Sequence, residues 1–259
     1  MTLISLLQAG IIFLQEKGIE NARQESEILL AETLGLSPID LYLNASRVIS
    51  YQDRKNFLKW LKERAKHRPL QYILGYTEFM GLRLKVREGV FIPRPETEIL
   101  VETVLKTQRG FRTILDIGTG SGAIAIALVK FLLEAKIYAN DISKEAITLA
   151  RKNAKETEID GQIEFVEGNI LIPERLKGKI DLIISNPPYI KRTEIPYLPP
   201  EVSDFEPWIA LDGGEDGFSF YQRIAEQASI YLSPKGILSL EVDDKNASQV
   251  VEILNKNNK

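Results

Sequence analysis

The sequence predicts a doubly wound α/β protein with a small helical bundle toward its amino-terminal end. Two patterns predict this, and the chain length permits it. Beyond residue 110, strand-like and helical runs alternate. TILDI (113–117), KIYAND (136–141), IEFVE (163–167), DLIIS (181–185) and GILSLEV (236–242) read as strands. Helical segments over 121–133, 143–157 and 217–232 lie between most of them. Such alternation indicates a parallel sheet with helices on its faces. The first 70 residues, by contrast, carry helical periodicity. With 259 residues, 44% of them hydrophobic, the chain holds enough apolar material for one full core and a small second one.

Leu3, Leu6, Leu7, Ile11 and Leu14 recur at helical spacing, and Gly18 stands where a C-terminal cap belongs. A second helix is expected from Asn21 to Leu34, stopped by Gly35. Ser37 and Pro38 supply an N-cap and a first-turn proline for a short third helix. A fourth follows Ser50, over 51–67, with Phe57, Trp60, Leu61 and Ala65 on one face and Pro69 beyond its end. Residues 1–69 are therefore expected to form a helical domain. In 70–92, LQYIL and FMGLRLKV alternate apolar residues around glycines, which suggests a β-hairpin linking two domains. The sheet domain then spans 93–259, with a helix opening at Pro95 in FIPRPETEILVETVLK and a frayed NKNNK tail.

Composition narrows the function. A net charge of −3 and a pI near 5.5 supply no global basic field, so direct nucleic-acid binding is not expected. Zero cysteines exclude disulfides, a thiolate nucleophile and a cysteine metal site. A single histidine, His67, leaves no cluster for zinc, so no metal site is expected. The apolar start, MTLISLLQAGIIFLQEKGIE, lacks a basic leader and breaks at Gln8 and Gln15. It reads as an amphipathic helix and not as a signal peptide or a membrane span, which places the protein in the cytoplasm.

The stretch LDIGTGSGAIAIAL follows a strand and opens a helix. Gly118, Gly120 and Gly122 let backbone approach a ligand, and the helix start offers free N–H groups. The loop also satisfies a looser dinucleotide pattern through Gly118, Gly120 and Ala123, so by itself it leaves the ligand open. Asp116 narrows the choice. Two residues before the first glycine, its carboxylate would repel a pyrophosphate and suit a cationic ligand such as the amino-acid portion of S-adenosyl-L-methionine. Asp141, closing the second strand, is placed to accept from ribose hydroxyls, or else to cap the helix near Ser143.

The fourth strand-like run ends in NPPY, where two prolines cannot continue a ladder. Each restricts the residue before it, so Asn186 and Pro187 form a stiff, extended spur. In an open α/β sheet that spur would lie at the carboxyl end, beside the glycine loop.

The combination of DIGTGSG, NPPY and FIPRPETE resembles the class I S-adenosylmethionine-dependent methyltransferases that modify glutamine in peptide chain release factors. The likeness continues through PLQYILG (69–75), EVSDFEPWIAL (201–211) and GGEDGFSFY (213–221), and covers nearly the whole chain. It implies a Rossmann-like methyltransferase sheet and a release factor as protein substrate, recognised in part by the helical domain. It also implies methyl transfer to the amide nitrogen of the glutamine in a Gly-Gly-Gln motif. In that setting Asn186, Pro187, Pro188 and Tyr189 would hold the amide. Asp116, the loop Gly118, Thr119, Gly120, Ser121 and Gly122, and Asp141 would hold the cofactor. Asn169 and Ile170 match positions that contact the adenine in relatives, and Phe91 and Pro93 would lie near the cofactor, with Asn186 bordering both groups.

The chemistry accounts for these residue types. An amide nitrogen is a poor nucleophile because its lone pair is delocalised, as the ~18–20 kcal/mol rotation barrier of a peptide bond indicates. Fixing both N–H hydrogens, one on the Asn186 side-chain oxygen and one on the Pro187 carbonyl, orients the nitrogen and stabilises charge as the methyl arrives. Tyr189 would stack on the flat amide and shield the cation.

Other features have plainer readings. Glu96 and Glu98 suit a helix N-terminus, and GGEDG (213–217) reads as a turn before the next helix. His67 reads as a solvated helix end, and Lys59, Lys62, Arg64, Lys66 and Arg68 read as a solvated face. Asp243 replaces the glycine usual in relatives, and the chain stops before a terminal strand pair, which leaves the run 236–242 at an open edge. Ribosomal-protein glutamine methylation, DNA adenine-N6 methylation, a silent cofactor-binding module and a nicotinamide-linked dehydrogenase remain as alternatives.

Overall fold

The computed structural model describes residues 1–170 and 172–257. They divide into two compact units, one of residues 1–75 with 199–205, the other of 76–198 with 206–257 among the described residues.

The helical unit contains α1 (Leu3–Glu16), α2 (Ala22–Leu34), α3 (Pro38–Leu43), α4 (Tyr51–Arg64) and α5 (Leu70–Leu74). Local signals set their ends. Ser37 accepts from the Asp40 N–H while Asp40 receives the Ser37 N–H, a reciprocal cap that starts α3. Ser50 caps α4 through the Asp53 N–H, and Gly35 ends α2 in the left-handed region. The apolar stripe of α1 meets α2 and α4 in a core of Leu3, Leu7, Leu14, Leu29, Leu30 and Phe57.

Two expectations change here. LQYIL is helical, as α5, and belongs with the helical unit, so the hairpin begins only at Tyr76. Leu70, Ile73 and Leu74 pack on the helical core, which explains the preference. The charged stretch after residue 58 is also not uniformly solvated. Arg64 is 5% exposed and pairs with Glu25 and with Glu201, the latter at 2.9 Å. Glu201 belongs to a short helix, Pro200–Ser203, which the chain returns to this unit. His67 is half-buried, 3.4 Å from the same carboxylate.

In the second unit, β1 (Tyr76–Phe79) and β2 (Leu82–Lys85) form an antiparallel hairpin. Phe79 and Leu84 enter the main sheet core, so the hairpin is part of this unit's fold and not a free linker. Then come α6 (Pro95–Lys106), β3 (Thr113–Ile117), α7 (Ala123–Phe131), β4 (Lys136–Asp141), α8 (Lys144–Glu156), β5 (Ile163–Glu167) and β6 (Ile180–Ser185). The excursion through Pro200–Ser203, here α9, is followed by α10 (Ser219–Tyr231), β7 (Leu232–Leu240) and α11 (Ala247–Asn257). The frayed-tail expectation concerns NKNNK, but α11 continues to Asn257, and Asn258 and Lys259 lie outside the described residues.

All pairings in the five-stranded sheet are parallel, in the order β5-β4-β3-β6-β7. β3 is central, and β7 lies at one edge as expected. The order reverses beside β3, where open α/β sheets form a crevice at their carboxyl ends. Residues 123–129 of α7, which read AIAIALV, are all buried, so this helix fills the space against the sheet with small and branched side chains. No helix among the described residues is long and apolar enough to cross a membrane.

Candidate active site

β3 and β6 are hydrogen-bonded neighbours, with Asp116 opposite Ile184 and Ile117 opposite Ser185. Their carboxyl ends are further tied by the Ser185 hydroxyl, which donates to the Ile117 carbonyl at 2.6 Å. The glycine loop and the proline spur therefore leave the sheet side by side, as the crevice argument requires.

The glycine loop is held from below and from the flank. The N–H groups of Gly118 and Thr119 donate to the Asn140 carbonyl at 2.8 and 3.0 Å. Asn140, 2% exposed, spends its own amide on the Val166 and Gly168 carbonyls, bracing β4 against the turn after β5. Asp141 accepts from the Gly120 and Ser143 N–H groups, both at 2.8 Å, so it joins the loop to the start of α8. The helix cap itself is Ser143, which accepts from Ala146. Burial raises the Asp141 carboxyl above the usual carboxylate range, against the hydrogen bonds it receives.

Asp116 lies under the loop and not on its open side. It has no solvent exposure, and Thr119 donates to one of its oxygens at 2.6 Å. The other oxygen has no partner of hydrogen-bonding geometry; the Ala125 N–H is the smallest of the influences on this carboxylate. Burial pushes its pKa up to about 7, and the nearby Asp141 charge adds to the effect. The fold thus favours a proton or another positive charge at this carboxyl, one oxygen of which has no partner among the described residues.

The loop glycines divide by task. A Cβ at Gly118 or Gly120 would meet nothing within 4 Å, so these two face open space. At Gly122 it would lie 3.1 Å from Ala150 and Ile126, so this glycine admits α8 and not a ligand. Thr119 and Ser121 are buried, the first committed to Asp116. The Ser121 carbonyl accepts from Asn153 of α8, whose amide also bonds both backbone groups of Lys85 in the hairpin. Asn169 is exposed and accepts from Arg223 at 2.7 Å, and Ile170 packs on the sheet's second core.

The spur after β6 is braced by distant parts of the unit. The Asn186 side-chain N–H donates to Thr97 in the first turn of α6 at 3.0 Å, and Thr97 donates to Glu241 at 2.7 Å. Among the described residues, neither the Asn186 side-chain oxygen nor the Pro187 carbonyl accepts a hydrogen bond. Burial raises the Glu241 carboxyl, with help from Glu96, against the hydrogen bond from Thr97. Tyr189 packs beside a small core of Phe218, Tyr221 and Val250, and burial raises its phenol too.

GGEDG does more than turn the chain. A Cβ at Gly213 would fall 2.8 Å from the Tyr189 backbone, and one at Gly217 2.7 Å from the Tyr189 carbonyl oxygen. Ile190 is also bonded to this segment through both backbone groups: its N–H donates to the Leu211 carbonyl, and its carbonyl accepts from the Gly213 N–H. With no side chain at either glycine, the segment can lie flat on the spur.

Phe91 and Pro93 are half-buried on the approach to α6. The Arg94 guanidinium covers the Phe91 ring at 4.7 Å and pairs with Glu206, whose side chain is 1% exposed. Burial raises the Glu206 pKa, with Arg94 opposing the rise, and its second carboxylate oxygen has no hydrogen-bond partner among the described residues. Arg94 and Glu206, far apart in sequence, are thereby paired within the sheet unit. Sequence reasoning missed Thr97, Asn140, Asn153, Glu206, Gly213 and Glu241. Thr97 and Glu206 did lie inside quoted motifs, but their partners are remote. Among the described residues, no acidic or histidine cluster is arranged to hold a metal ion.

A model described as the PrmC N-terminal domain matches residues 5–75, and one described as the methyltransferase small domain matches 82–197. Among solved structures, a methyltransferase from Pyrococcus furiosus has 25% identity and a TM-score of 0.50, covering 69% of this chain and 77% of that one. The hMettl16 catalytic domain shares the fold at 19% identity and a TM-score of 0.55, covering 76% of this chain and 73% of that one. A release factor glutamine methyltransferase from Geobacter sulfurreducens is 41% identical over 244 residues, 94% of this chain and 85% of its own. One of the same name from Fusobacterium nucleatum is 39% identical over 98% of this chain and 73% of its own. At this identity and coverage, the chain belongs to the release factor glutamine methyltransferase family.

Proposed function

We propose that this protein transfers a methyl group from S-adenosyl-L-methionine to the side-chain amide nitrogen, N5, of the glutamine in the Gly-Gly-Gln motif of peptide chain release factors. The single observation that carries the reading is the paired acceptor at the end of β6. Among the described residues, the Asn186 oxygen and the Pro187 carbonyl both lack a donor, on a spur that two prolines stiffen and two glycines admit.

The residues fit the cofactor. Gly118 and Gly120 face open space, and the half-satisfied Asp116 carboxylate beneath them favours a cation over a pyrophosphate. Asp141 would meet the ribose, its carboxylate already fixed by two N–H groups and with lone pairs to spare. Asn169, Ile170, Phe91 and Pro93 would border the rest. When bound, S-adenosyl-L-methionine supplies an electrophilic methyl on a sulfonium.

The protein's own part is to hold the nucleophile. Two acceptors on the two amide hydrogens fix the plane of the carboxamide and leave its nitrogen as the exposed atom. As charge develops on that nitrogen, the same two oxygens stabilise it in a half-buried setting. The methylated nitrogen is acidic and loses its proton without a dedicated base. Tyr189, which follows the two prolines, would serve as an aromatic wall for the amide. The helical unit would recognise the remainder of the release factor.

The test is incubation with methyl-labelled S-adenosyl-L-methionine and purified release factors, with and without replacement of the Gly-Gly-Gln glutamine. Label should enter the intact factor and be absent from the replaced one. Label that survives the replacement rejects the reading.

A further inference from the structure

Asparagine presents a carbonyl on one side and an amino group on the other, nearly equal in size. Turned one way, Asn186 offers an acceptor to a substrate amide; turned the other, it offers a donor to a donor, and no bond forms. The reading above therefore needs something that decides the orientation. We propose that Thr97 and Glu241 are positioning residues that lock Asn186 with its oxygen toward the substrate.

The direction of the hydrogen bonds carries this. An ionised carboxylate only accepts, so the Thr97 hydroxyl must give its one hydrogen to Glu241, at 2.7 Å. With that hydrogen spent, the Thr97 oxygen toward Asn186 is an acceptor, and it receives the amide N–H at 3.0 Å. A flipped Asn186 would set its oxygen against the Thr97 oxygen, an acceptor, with the Glu241 carboxylate just behind it. Thr97 is 4% exposed, so water does not readily replace either partner.

The relay is anchored at each member. Thr97 sits in the first turn of α6, with its N–H on the Arg94 carbonyl. The Glu241 N–H donates to Ser185 at 3.0 Å, and its carbonyl accepts from the buried Tyr221 hydroxyl at 2.9 Å. Glu241 is thus fixed immediately beside the residue that precedes Asn186. Three segments far apart in sequence converge to set one amide.

The proposal rests on the function inferred above, and the experiment separates the two. Wild type, T97V, T97S, E241Q and N186A are compared for kcat and KM on an intact release factor, and for S-adenosyl-L-methionine affinity by calorimetry. T97V should lose about 10- to 100-fold in kcat, the usual cost of removing a partner that orients a functional group, with cofactor affinity within about twofold of wild type. T97S, which keeps the hydroxyl, should recover to within about threefold. E241Q keeps shape but can donate, which allows the chain to run backwards and Asn186 to flip; its kcat should fall like that of T97V. Wild-type kcat in both T97V and E241Q, while N186A is inactive, overturns the relay and leaves the function standing. Loss of cofactor affinity in step with kcat in both variants also overturns it, since the role would then be structural. Wild-type turnover in N186A, or no transfer by the wild type, removes the underlying reading and the relay with it.

Discussion

The two turns that leave β3 and β6 reach neighbouring positions by opposite means. After β3, the backbone is freed: glycines open a loop whose hydrogen bonds come from Asn140 and Asp141 on the adjacent strand. After β6, the backbone is confined: prolines fix the spur, and its partners come from α6, the end of β7 and the segment 213–217. A loop that must wrap a ligand gains from torsional freedom during folding and from bracing afterward. A pair of acceptors that must hold an amide in one plane gains from having little freedom at all. The same sheet edge therefore supplies an adaptable cradle and a rigid clamp.

The sharpest way to break this comparison is to disable the clamp alone. Asn186→Ala should lower turnover about 100- to 1,000-fold, the scale for losing one preorganised transition-state hydrogen bond. Cofactor affinity, measured by calorimetry, should stay within about twofold of wild type, since the loop after β3 keeps all its own bonds. Next in size is Gly213→Val. A side chain there meets the Tyr189 backbone at 2.8 Å and must push the spur aside. Turnover should fall by about 100-fold, the cost of a displacement near 1 Å, again with cofactor affinity kept.

The opposite pattern is expected from the cradle. Asp141→Ala removes the acceptor for the Gly120 and Ser143 N–H groups. Cofactor affinity should drop about tenfold, while kcat at saturating cofactor changes little. If N186A and D141A shift the same parameter, the division of labour between the two turns is wrong.

The smallest effect sharpens the electrostatics of the cradle. The Asp116 carboxyl has a pKa of about 7 in the fold and an ordinary value of 3.8 outside it. Between these values the folded protein holds a proton that the unfolded chain has released, so stability falls as pH rises toward 7 and stays lower above it. Asp116→Asn carries no such penalty. In the cofactor-free protein it should raise the melting midpoint by several degrees at alkaline pH, and the advantage should vanish as the medium is acidified toward the ordinary carboxylate range.

Sequence reasoning found the cradle more fully than the clamp, for a physical reason. Strand periodicity, the glycines and Asp141 lie within one stretch, and a strand–loop–helix unit is specified by neighbours. The parallel sheet and the crevice at its carboxyl end followed from it. NPPY announced a rigid spur, but what fixes its orientation is long-range. Nothing local connects Thr97 to Glu241, or Gly213 to Tyr189; the sheet brings them together. The hairpin shows the same limit. LQYIL alternates well enough for a strand, yet burial of Leu70, Ile73 and Leu74 on the helical core makes it a helix. Arg64 looked like one charge in a solvated run, because Glu201, which helps bury it, arrives from far along the chain.

Two fixed acceptors for two amide hydrogens imply a limit on the product. Once methylated, the glutamine nitrogen keeps a single hydrogen, and one of the acceptors would face a methyl group. Intact-mass spectrometry of a release factor after prolonged incubation with excess S-adenosyl-L-methionine tests this most directly. The account predicts one methyl on the Gly-Gly-Gln glutamine and no further addition. A second methyl on that nitrogen, arriving at a comparable rate, would contradict it.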